Sequence, residues 1–372
     1  MLQFLTCGES HGKYLTAILE GIPSGLQVDL DFINQELRIR QRGYGRGGRQ
    51  KIENDQIEIS GGVYKGKTTG APIGLLIQNK DVKIDELPQL FRPRPGHADL
   101  AGALKYHEGI REILERASAR ETAIRVAVGA VTKLFLLEFK IEIAGHVVQI
   151  GKAKLEEEVP FDQILKRREG SEINCVSREA EKLMTAEIQK AMKSKNTVGG
   201  KYEIRARGIP IGLGSHVHYK RKLDGRIAQA LMSMQSVKAV EFGLGVNEAE
   251  TFGSEAHDEI FYDAKYGYYH KTNRAGGITG GMSNGAEILV RATMKPISTL
   301  RRELRSVNMK TKKEEKADFE RSDVCAVPAG TVIGEAIVAF EIADAMLEKF
   351  GGDSMVETKR NYKGYLDQLA KS

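Results

Sequence analysis

The sequence predicts an α+β fold built from two similar halves. Two segments are nearly identical, GIPSGL at residues 21–26 and GIPIGL at residues 208–213, and each precedes a helix-like segment that begins with Leu-Asp. Glycine turns then lead into GAPIGLLIQN and GAEILVRAT, whose apolar runs are typical of β-strands. A chance likeness between glycine-rich segments is the alternative. The simpler interpretation is a duplicated strand-helix-strand-helix unit, with two sheets that share one core about a pseudo-two-fold axis.

Each half ends in a long segment with helical periodicity, at residues 118–138 and 329–350, and we interpret both as amphipathic helices. Between the halves, residues 151–200 are charged and helical in period, and Asn196 and Gly199 provide a helix end. This segment is predicted to be a peripheral helical insertion. Because no linker rich in proline or serine divides the chain, residues 1–372 are expected to form a single domain.

Composition limits the class of protein. The chain has 372 residues, of which 41% are hydrophobic and 28% charged, and its longest apolar runs are interrupted by charges such as Arg125 and Lys133. A membrane span is therefore not expected. The N-terminal segment MLQFLTCGESHG has no basic and apolar signal pattern, so a cytoplasmic location is expected. The three cysteines Cys7, Cys175 and Cys325 lack CxxC spacing and are expected to be free thiols.

The charge distribution indicates an anionic ligand. The formal net charge is +6, and many basic residues lie in glycine-rich segments, above all in the arginine-rich stretch that contains GYGRGGRQK at residues 43–51. Three interpretations are open: a loop that closes over a polyanionic small molecule, a solvated flexible loop, or a nucleic-acid-binding loop. The chain has no Trp and only 6% aromatic residues, so few side chains could stack on bases.

A capping signature lies in ERASARETAIRVAVG, residues 115–129. Ser118 and Glu121 have the spacing of a capping box, and Arg116 and Arg120 flank the predicted first helical turn. Such a turn exposes backbone N–H groups that suit a phosphate. An ordinary helix start with solvated arginines is the alternative.

Two further patterns are weaker. GGVYKGKT at residues 61–68 matches the P-loop spacing, but TTGAPIGLLIQN follows where a helix is required, so we predict a hairpin turn. His216 and His218 could lie on one face of a strand as metal ligands. Since no third ligand is near in sequence, no metal site is expected.

Three polar segments contain candidate acid-base residues. His11 lies in CGESHGK beside Glu9 and Ser10, and His97 lies in RPRPGHADL, a turn that follows two arginines. Arg321 and Asp323 lie in ERSDVCAVPAG, directly before the last long helix of the second half. Taken singly, each histidine could be structural and the acidic segment could be a helix cap.

Together, GESHG, RPGHAD, ERASARETAIRVAVG and RSDVCAVP resemble the chorismate synthase family in order and spacing, over essentially the whole chain. One difference is visible: the paired serines usual before ARET are here Ala117 and Ser118, so a hydroxyl contact from the first position is absent. The resemblance implies an α/β/α sandwich of two antiparallel sheets and a homotetramer.

The resemblance also implies an activity. Members of the family are lyases that convert 5-enolpyruvylshikimate 3-phosphate to chorismate and phosphate by a trans-1,4-elimination, the last step of the shikimate pathway. Reduced FMN is required without net redox change, and the cofactors associated with the family are FMN, FAD and NADP. The FMN would be reduced either by the enzyme itself with NADPH or by a separate flavin reductase. The main alternative is a nucleic-acid-binding protein that uses the basic loops.

The resemblance assigns roles to particular residues. His11 matches the histidine that protonates the departing phosphate, His97 the one that protonates or steadies the reduced flavin, and Asp323 the acid that assists proton removal from it. FMN contacts are expected at Arg116, Ala117, Ser118, Gln235, Ser236, Gly280, Lys295, Pro296, Ile297, Ser298, Thr299 and Arg321. NADP contacts are expected at Arg40 and Arg46, and substrate contacts at Ser10, Arg40, Arg46, Arg94, Arg120 and Arg321.

Overall fold

The structure is a computed structural model that describes residues 2–48, 52–264 and 267–371. Short 3₁₀ turns lie at Ala119–Glu121, Tyr219–Arg221 and Gly245–Glu250. The helices of the described ranges are α1 (Leu30–Gln41), α2 (Asp99–Tyr106), α3 (Ile110–Ala117), α4 (Thr122–Leu137), α5 (Phe161–Arg168), α6 (Arg178–Lys193), α7 (Leu223–Met232), α8 (Gly253–Ala256), α9 (Val327–Phe350) and α10 (Met355–Leu369).

Strands alternate with these helices along the chain. They are β1 (Gln3–Cys7), β2 (Tyr14–Glu20), β3 (Ile57–Gly61), β4 (Val63–Tyr64), β5 (Lys67–Thr68), β6 (Ile73–Gln78), β7 (Glu142–Ile150), β8 (Ala153–Lys154), β9 (Gly200–Arg207), β10 (Val237–Phe242), β11 (Ile260–Asp263), β12 (Gly267–His270), β13 (Ile278–Thr279), β14 (Met282–Ser283), β15 (Ile288–Met294), β16 (Arg305–Val307) and β17 (Glu314–Lys316).

Two antiparallel sheets dominate the fold. The first has the strand order β1-β2-β6-β3, and the second has the order β10-β15-β9-β7-β8. Alternating burial along β2 shows that the first sheet has one covered face and one exposed face. The mixture of helices with antiparallel sheets agrees with the predicted α+β class.

The central helices lie between the two sheets. α4 and α9 pack along each other, α4 also contacts β2 and β6, and α9 contacts β7 and β9. The expected α/β/α layer order, with helices outside, is therefore wrong. Residues 327–339 of α9 are buried on every side, so this helix is not amphipathic as expected; a helix that is apolar all round belongs inside a core. Gly129 permits the close packing, because a Cβ there would lie 2.2 Å from Cβ of Ala336.

The internal repeat reappears in the topology. In chain order, β1, β2, α1, β3, β6 and α4 correspond to β7, β9, α7, β10, β15 and α9, and the strands occupy equivalent places in their sheets. Even the turns match: Thr68 Oγ1 donates to Pro23 O (2.6 Å) and accepts from Leu26 N (2.9 Å), while Ser283 Oγ bonds Pro210 O (2.6 Å) and Leu213 N (2.8 Å) in the same way. The duplication is thereby supported, and the two-fold axis stays a prediction.

A cluster of buried charges crosses the second sheet. Glu335 of α9 accepts from Lys133 Nζ of α4 at 2.5 Å and from the Gly145 backbone N–H of β7 at 2.7 Å, and it pairs with Arg168 of α5. Lys133 also binds Glu36 of α1 at 2.5 Å. Burial alone would raise the pKa of Glu335, but Arg168 and Lys133 hold it below its usual range. The cluster joins the insertion helix α5 to the helical layer.

Other sequence expectations can be compared with the structure. Residues 151–200 contain α5 and α6, which pack against β7. The P-loop-like segment forms the antiparallel pair β4 and β5 with no helix after it, so the predicted hairpin is confirmed. One buried apolar cluster contains residues from Leu2 to Met355. This cluster supports a single domain for residues 1–372, which stays a prediction. In the described part of the chain, every helix is too short or too polar to cross a bilayer.

Candidate active site

A cavity of about 670 Å³ brings most of the predicted site residues together. Its walls come from segments far apart in sequence: the loop after β1, the end of α1, the turn before α2, the junction of α3 and α4, the end of α7, the end of β15 and the segment before α9. The predicted residues that line it are Ser10, His11, Arg40, Arg46, Arg94, His97, Ala117, Ser118, Arg120, Gln235, Ser236, Lys295, Ile297, Ser298, Thr299, Arg321 and Asp323.

Three expected FMN contacts lie outside this cavity lining. Arg116 is exposed, and its guanidinium group points towards β1, where it donates to Thr6 Oγ1 at 2.9 Å and to Thr6 O at 3.1 Å. Gly280 lies in the turn between β13 and β14 and lines a different cavity, which also contains His257 and His270. Pro296 lies between two lining residues but does not itself face the cavity. The single chain therefore does not bring Arg116, Gly280 and Pro296 together with the other expected contacts.

His11 is held by acidic side chains. Its ring Nδ1 lies 2.9 Å from Glu115 Oε1 of α3, and its backbone N–H donates to Glu115 Oε2 at 2.8 Å. On the other side of the ring, Nε2 lies 3.9 Å from Asp81 Oδ2. GESHG begins and ends with a glycine, and the first of them, Gly8, lets the chain turn sharply. Gly8 has φ 113°, and a Cβ there would lie 2.3 Å from Tyr14 O.

His97 is held in a similar way by a residue of its own turn. Its Nδ1 lies 2.5 Å from Asp99 Oδ1, and Asp99 also accepts from Arg94 Nε at 2.7 Å. Burial alone would raise the pKa of Asp99, but hydrogen bonds from Arg94 and His97 hold it well below its usual range. Arg94 in turn donates to Thr299 Oγ1 at 2.8 Å, so the ring and the guanidinium group are fixed as one unit.

Asp323 joins the basic loop to the cavity. Its Oδ1 accepts from the Gly47 backbone N–H at 2.6 Å, and its Oδ2 lies 3.3 Å from Arg46 NH1. The Arg46 side chain is only 9% exposed. A further backbone bond from Val324 N to Gly45 O (2.8 Å) fastens the loop to the segment before α9. Arg46 and Gly47 of the basic loop therefore line the cavity, whereas residues 49–51 lie outside the described residues.

Two arginines share one buried carboxylate behind the cavity wall. Asp55, which is 1% exposed, accepts from Arg120 NH1 at 2.8 Å, pairs with Arg120 NH2 at 2.7 Å and lies 3.5 Å from Arg40 NH1. Arg40 also donates to Thr122 Oγ1. Burial lowers the pKa of Arg40 to about 9, against the opposing charge of Asp55. Both guanidinium groups are thus oriented by the fold itself.

Ser118, the residue before the ARET motif, does not form the predicted capping box with Glu121. Ser118 Oγ accepts from Arg120 N at 3.3 Å, but Glu121 binds Thr6 and Arg125 and does not return to the Ser118 backbone. The predicted capping box is therefore wrong: Ser118 caps a 3₁₀ turn, and α4 begins only at Thr122. The Ser118 hydroxyl also accepts from Ser10 Oγ at 3.1 Å, at the cavity wall.

One wall of the cavity offers polar groups for a ligand. Ser236 has φ 72°, an uncommon conformation for a residue with a side chain, and its carbonyl accepts from Lys295 N at 2.9 Å. The neighbouring Gln235 Oε1 is buried without a hydrogen-bond partner among the described residues. Burial, with the charge of Lys238, lowers the pKa of Lys295. Ser298 Oγ donates to Gly96 O at 2.7 Å and so ties this wall to the turn that contains His97.

Sequence reasoning missed the carboxylates that orient these groups. Asp99 and Glu115 lie inside motifs quoted above, and their acidity beside a candidate histidine or arginine was the available signal. Glu53, Asp55 and Asp81 lie in segments without a motif. Their burial beside Arg120 or His11 depends on contacts between distant segments, which no local pattern encodes.

Comparisons with known proteins identify the family of this chain. The family model described as Chorismate synthase matches residues 2–347. Chorismate synthase from Geobacter sulfurreducens is 52% identical over 99% of this chain and 99% of its own, and that from Brevibacillus brevis is 49% identical over 99% and 100%. A solved structure titled "Crystal Structure of Chorismate Synthase" superposes with a TM-score of 0.84 and 42% identity, covering 100% of this chain and 99% of that one. This chain belongs to the chorismate synthase family.

Proposed function

We propose that this enzyme converts 5-enolpyruvylshikimate 3-phosphate to chorismate and phosphate with reduced FMN bound in the cavity. Membership of the family makes it a chorismate-forming lyase that acts on a small molecule, and the family implies a flavin. The observation that carries the proposal is the charge of the cavity wall. Three acidic side chains, Asp81, Glu320 and Asp323, face seven cationic ones: Arg40, Arg46, Lys83, Arg94, Arg120, Lys295 and Arg321.

The substrate suits this excess of cations. It carries a phosphate and two carboxylates, and arginine side chains bind such groups through paired, charge-assisted hydrogen bonds. Because Asp55 and Asp99 hold Arg120 and Arg94 in place, little side-chain entropy is lost when the substrate binds. We assign the substrate to Ser10, Arg40, Arg46, Arg94, Arg120 and Arg321.

The same cavity fits a flavin mononucleotide. A volume of about 670 Å³ is within the range of cofactor sites. The buried Gln235 Oε1 is an acceptor for a ligand N–H group, and Ser118, Lys295, Ser298 and Thr299 could hold the phosphate and ribityl chain. When bound, reduced FMN would supply a transferable electron for the loss of phosphate. Simple base catalysis is poor here because the hydrogen that is removed is not alpha to a carbonyl.

The protein groups then handle protons and charge. We propose that His11 donates a proton to the departing phosphate and that His97 steadies the reduced cofactor. Asp323 would assist removal of a proton from the flavin. With FMN and substrate bound, the loop at residues 43–48 would exclude water, because Arg46 and Gly47 reach Asp323 at the cavity wall. Each of these groups lies at the wall of one cavity.

The remaining expectations stay predictions. They are a homotetramer, a cytoplasmic location, a pseudo-two-fold axis, and reduction of FMN either by NADPH at Arg40 and Arg46 or by a separate flavin reductase. The nucleic-acid alternative requires a basic loop that faces solvent. Arg46 instead faces the cavity and pairs with Asp323, so this alternative is not favoured.

Multiple turnovers without consumption of reduced FMN are expected under anaerobic conditions. The elimination has no net redox change, so one reduced flavin should support release of many phosphate molecules. Phosphate release and flavin absorbance are measured together, with oxidised FMN as the control. Loss of one reduced flavin for each phosphate would disprove the proposed role of the cofactor.

Arg46→Ala is expected to weaken substrate binding by about 10- to 100-fold, the usual loss for a charge-assisted hydrogen bond, and FMN binding by much less. The reason is that we assign FMN's phosphate to other residues, Ser118 and Lys295. The exposed Arg42 on the same segment provides a matched control, and Arg42→Ala should bind substrate normally.

Proteolysis after Arg46 tests the proposed closure directly. If the loop is a lid, cutting should be fast in the free protein and strongly suppressed only when FMN and substrate are both bound. Equal cutting rates in all ligand states would show that the loop does not close over the site.

A further inference from the structure

Glu115 contacts His11 at two points, the backbone N–H and the ring. The carboxylate accepts the His11 backbone N–H through Oε2 at 2.8 Å, and both carboxylate oxygens lie within 3.1 Å of ring Nδ1. Glu115 is 3% exposed and lies near the end of α3, 104 residues away in sequence. A buried carboxylate with two bonds to one histidine fixes both the backbone and the ring of that histidine.

The charge of Glu115 is maintained by its neighbours. Arg111, one helical turn earlier, lies 3.7 Å from Glu115 Oε1, and its NH2 donates to Glu320 at 2.7 Å. Burial alone would raise the pKa of Glu115, but the hydrogen bonds from His11 and the charge of Arg111 lower it below its usual value. Glu115 is therefore ionised at neutral pH, and an ionised carboxylate only accepts hydrogen bonds.

We propose that Glu115 is a positioning residue that makes Nε2 of His11 the nitrogen that delivers the proton. This inference rests on the proposed function. Because Glu115 only accepts, Nδ1 must carry a hydrogen, and the proton that moves is the one on Nε2. In the step, the Nε2–H bond breaks and a bond from that hydrogen to the phosphate oxygen forms, while Glu115 stays ionised throughout.

The second histidine of the site supports this interpretation independently. Asp99 lies 2.5 Å from Nδ1 of His97 and is itself kept ionised by Arg94. Both histidines therefore use Nδ1 for a buried carboxylate, although the carboxylates come from different segments of the chain. At His97, Arg94 NH2 also lies 3.1 Å from Nδ1, so it is the shorter contact with Asp99 that favours a hydrogen on Nδ1, as the aspartate of a catalytic triad does for its histidine.

A double-mutant cycle tests the proposal. Glu115→Gln should lower kcat by about 10- to 1000-fold, a loss no larger than that expected for removal of the acid-base group. KM and FMN affinity should change little. In the His11→Ala background the same substitution should have no further effect, because its role is exerted through His11. Glu115→Asp should recover part of the activity, and the exposed Glu112 of the same helix provides the control Glu112→Gln. Multiplicative losses in the double variant would overturn the proposal.

Nitrogen-15 NMR of the wild-type protein gives a readout that needs no turnover. With labelled histidine, the neutral His11 ring should show a protonated Nδ1, and Glu115→Gln should change the tautomer ratio. In a separate kinetic measurement, Glu115→Gln should shift the pH profile of kcat. A wild-type ring protonated at Nε2 alone would refute the inference even if the enzyme is active. Conversely, failure to form chorismate with the expected tautomer present would refute the proposed function and leave the positioning intact.

Discussion

Replacing either His11 or His97 with alanine is expected to lower the turnover rate by about 10²- to 10⁴-fold, while the fold survives. Both rings line the cavity, and each is oriented by a buried carboxylate, so alanine removes a positioned acid-base group without opening the main core. The measurement is phosphate release at saturating substrate and reduced FMN. Far-UV circular dichroism and FMN binding show whether the variants remain folded.

The exposed His216 offers a matched control for these two variants. His216→Ala removes the same side chain from a surface loop, and its turnover should equal that of the wild type. If both His11→Ala and His97→Ala turn over at the normal rate, the proton-transfer roles assigned to them are wrong. If only one retains activity, its assigned role alone must be abandoned.

Replacing Glu335 with alanine is expected to lower the free energy of unfolding by about 3–5 kcal/mol. Glu335 is fully buried and is the shared partner of Lys133 and Arg168. Its removal leaves Arg168 without a carboxylate partner and also leaves the Gly145 N–H without its acceptor. Uncompensated charge in a core is far more costly than the loss of a surface ion pair.

Glu348 provides the control on the same helix. It pairs with Arg221 and Arg226 at a partly exposed position, so Glu348→Ala should cost no more than about 1 kcal/mol. Urea denaturation followed by circular dichroism measures both variants. A loss below about 1 kcal/mol for Glu335→Ala would show that the buried cluster contributes little to stability.

The chemical identity of the site could be predicted from sequence to a large extent. His11, His97, Arg120 and Asp323 lie in short motifs whose order and spacing indicate one family, and the structure brings all four to one cavity. Motifs also misled: the Ser118 and Glu121 spacing predicts a capping box, yet Glu121 accepts from Thr6 of β1 and from Arg125 one helical turn later. These partners compete with the backbone of the helix start, and one of them, Thr6, is supplied only by the tertiary structure.

The sequence by itself determined the helices, the strands and the duplicated turns. These depend on local preferences, such as the tolerance of glycine for positive φ and the alternation of apolar and polar residues, which involve only residues close in sequence. The matched hydroxyl bonds of Thr68 and Ser283 to these turns span 42 and 70 residues, so they depend on the tertiary structure. Periodicity alone does not show how many sides of a helix are covered, so the sequence predicts an amphipathic helix for α9 although α9 lies between the two sheets.

Only the tertiary structure decided which charges meet. Glu115 reaches His11 across 104 residues, Asp323 reaches Gly47 across 276, and Asp55 reaches Arg120 across 65. The physical reason is that a buried carboxylate is stable only where the packed chain supplies cations and N–H donors from several directions. The layer order was decided in the same way, because two apolar helices bury more surface between the sheets than outside them.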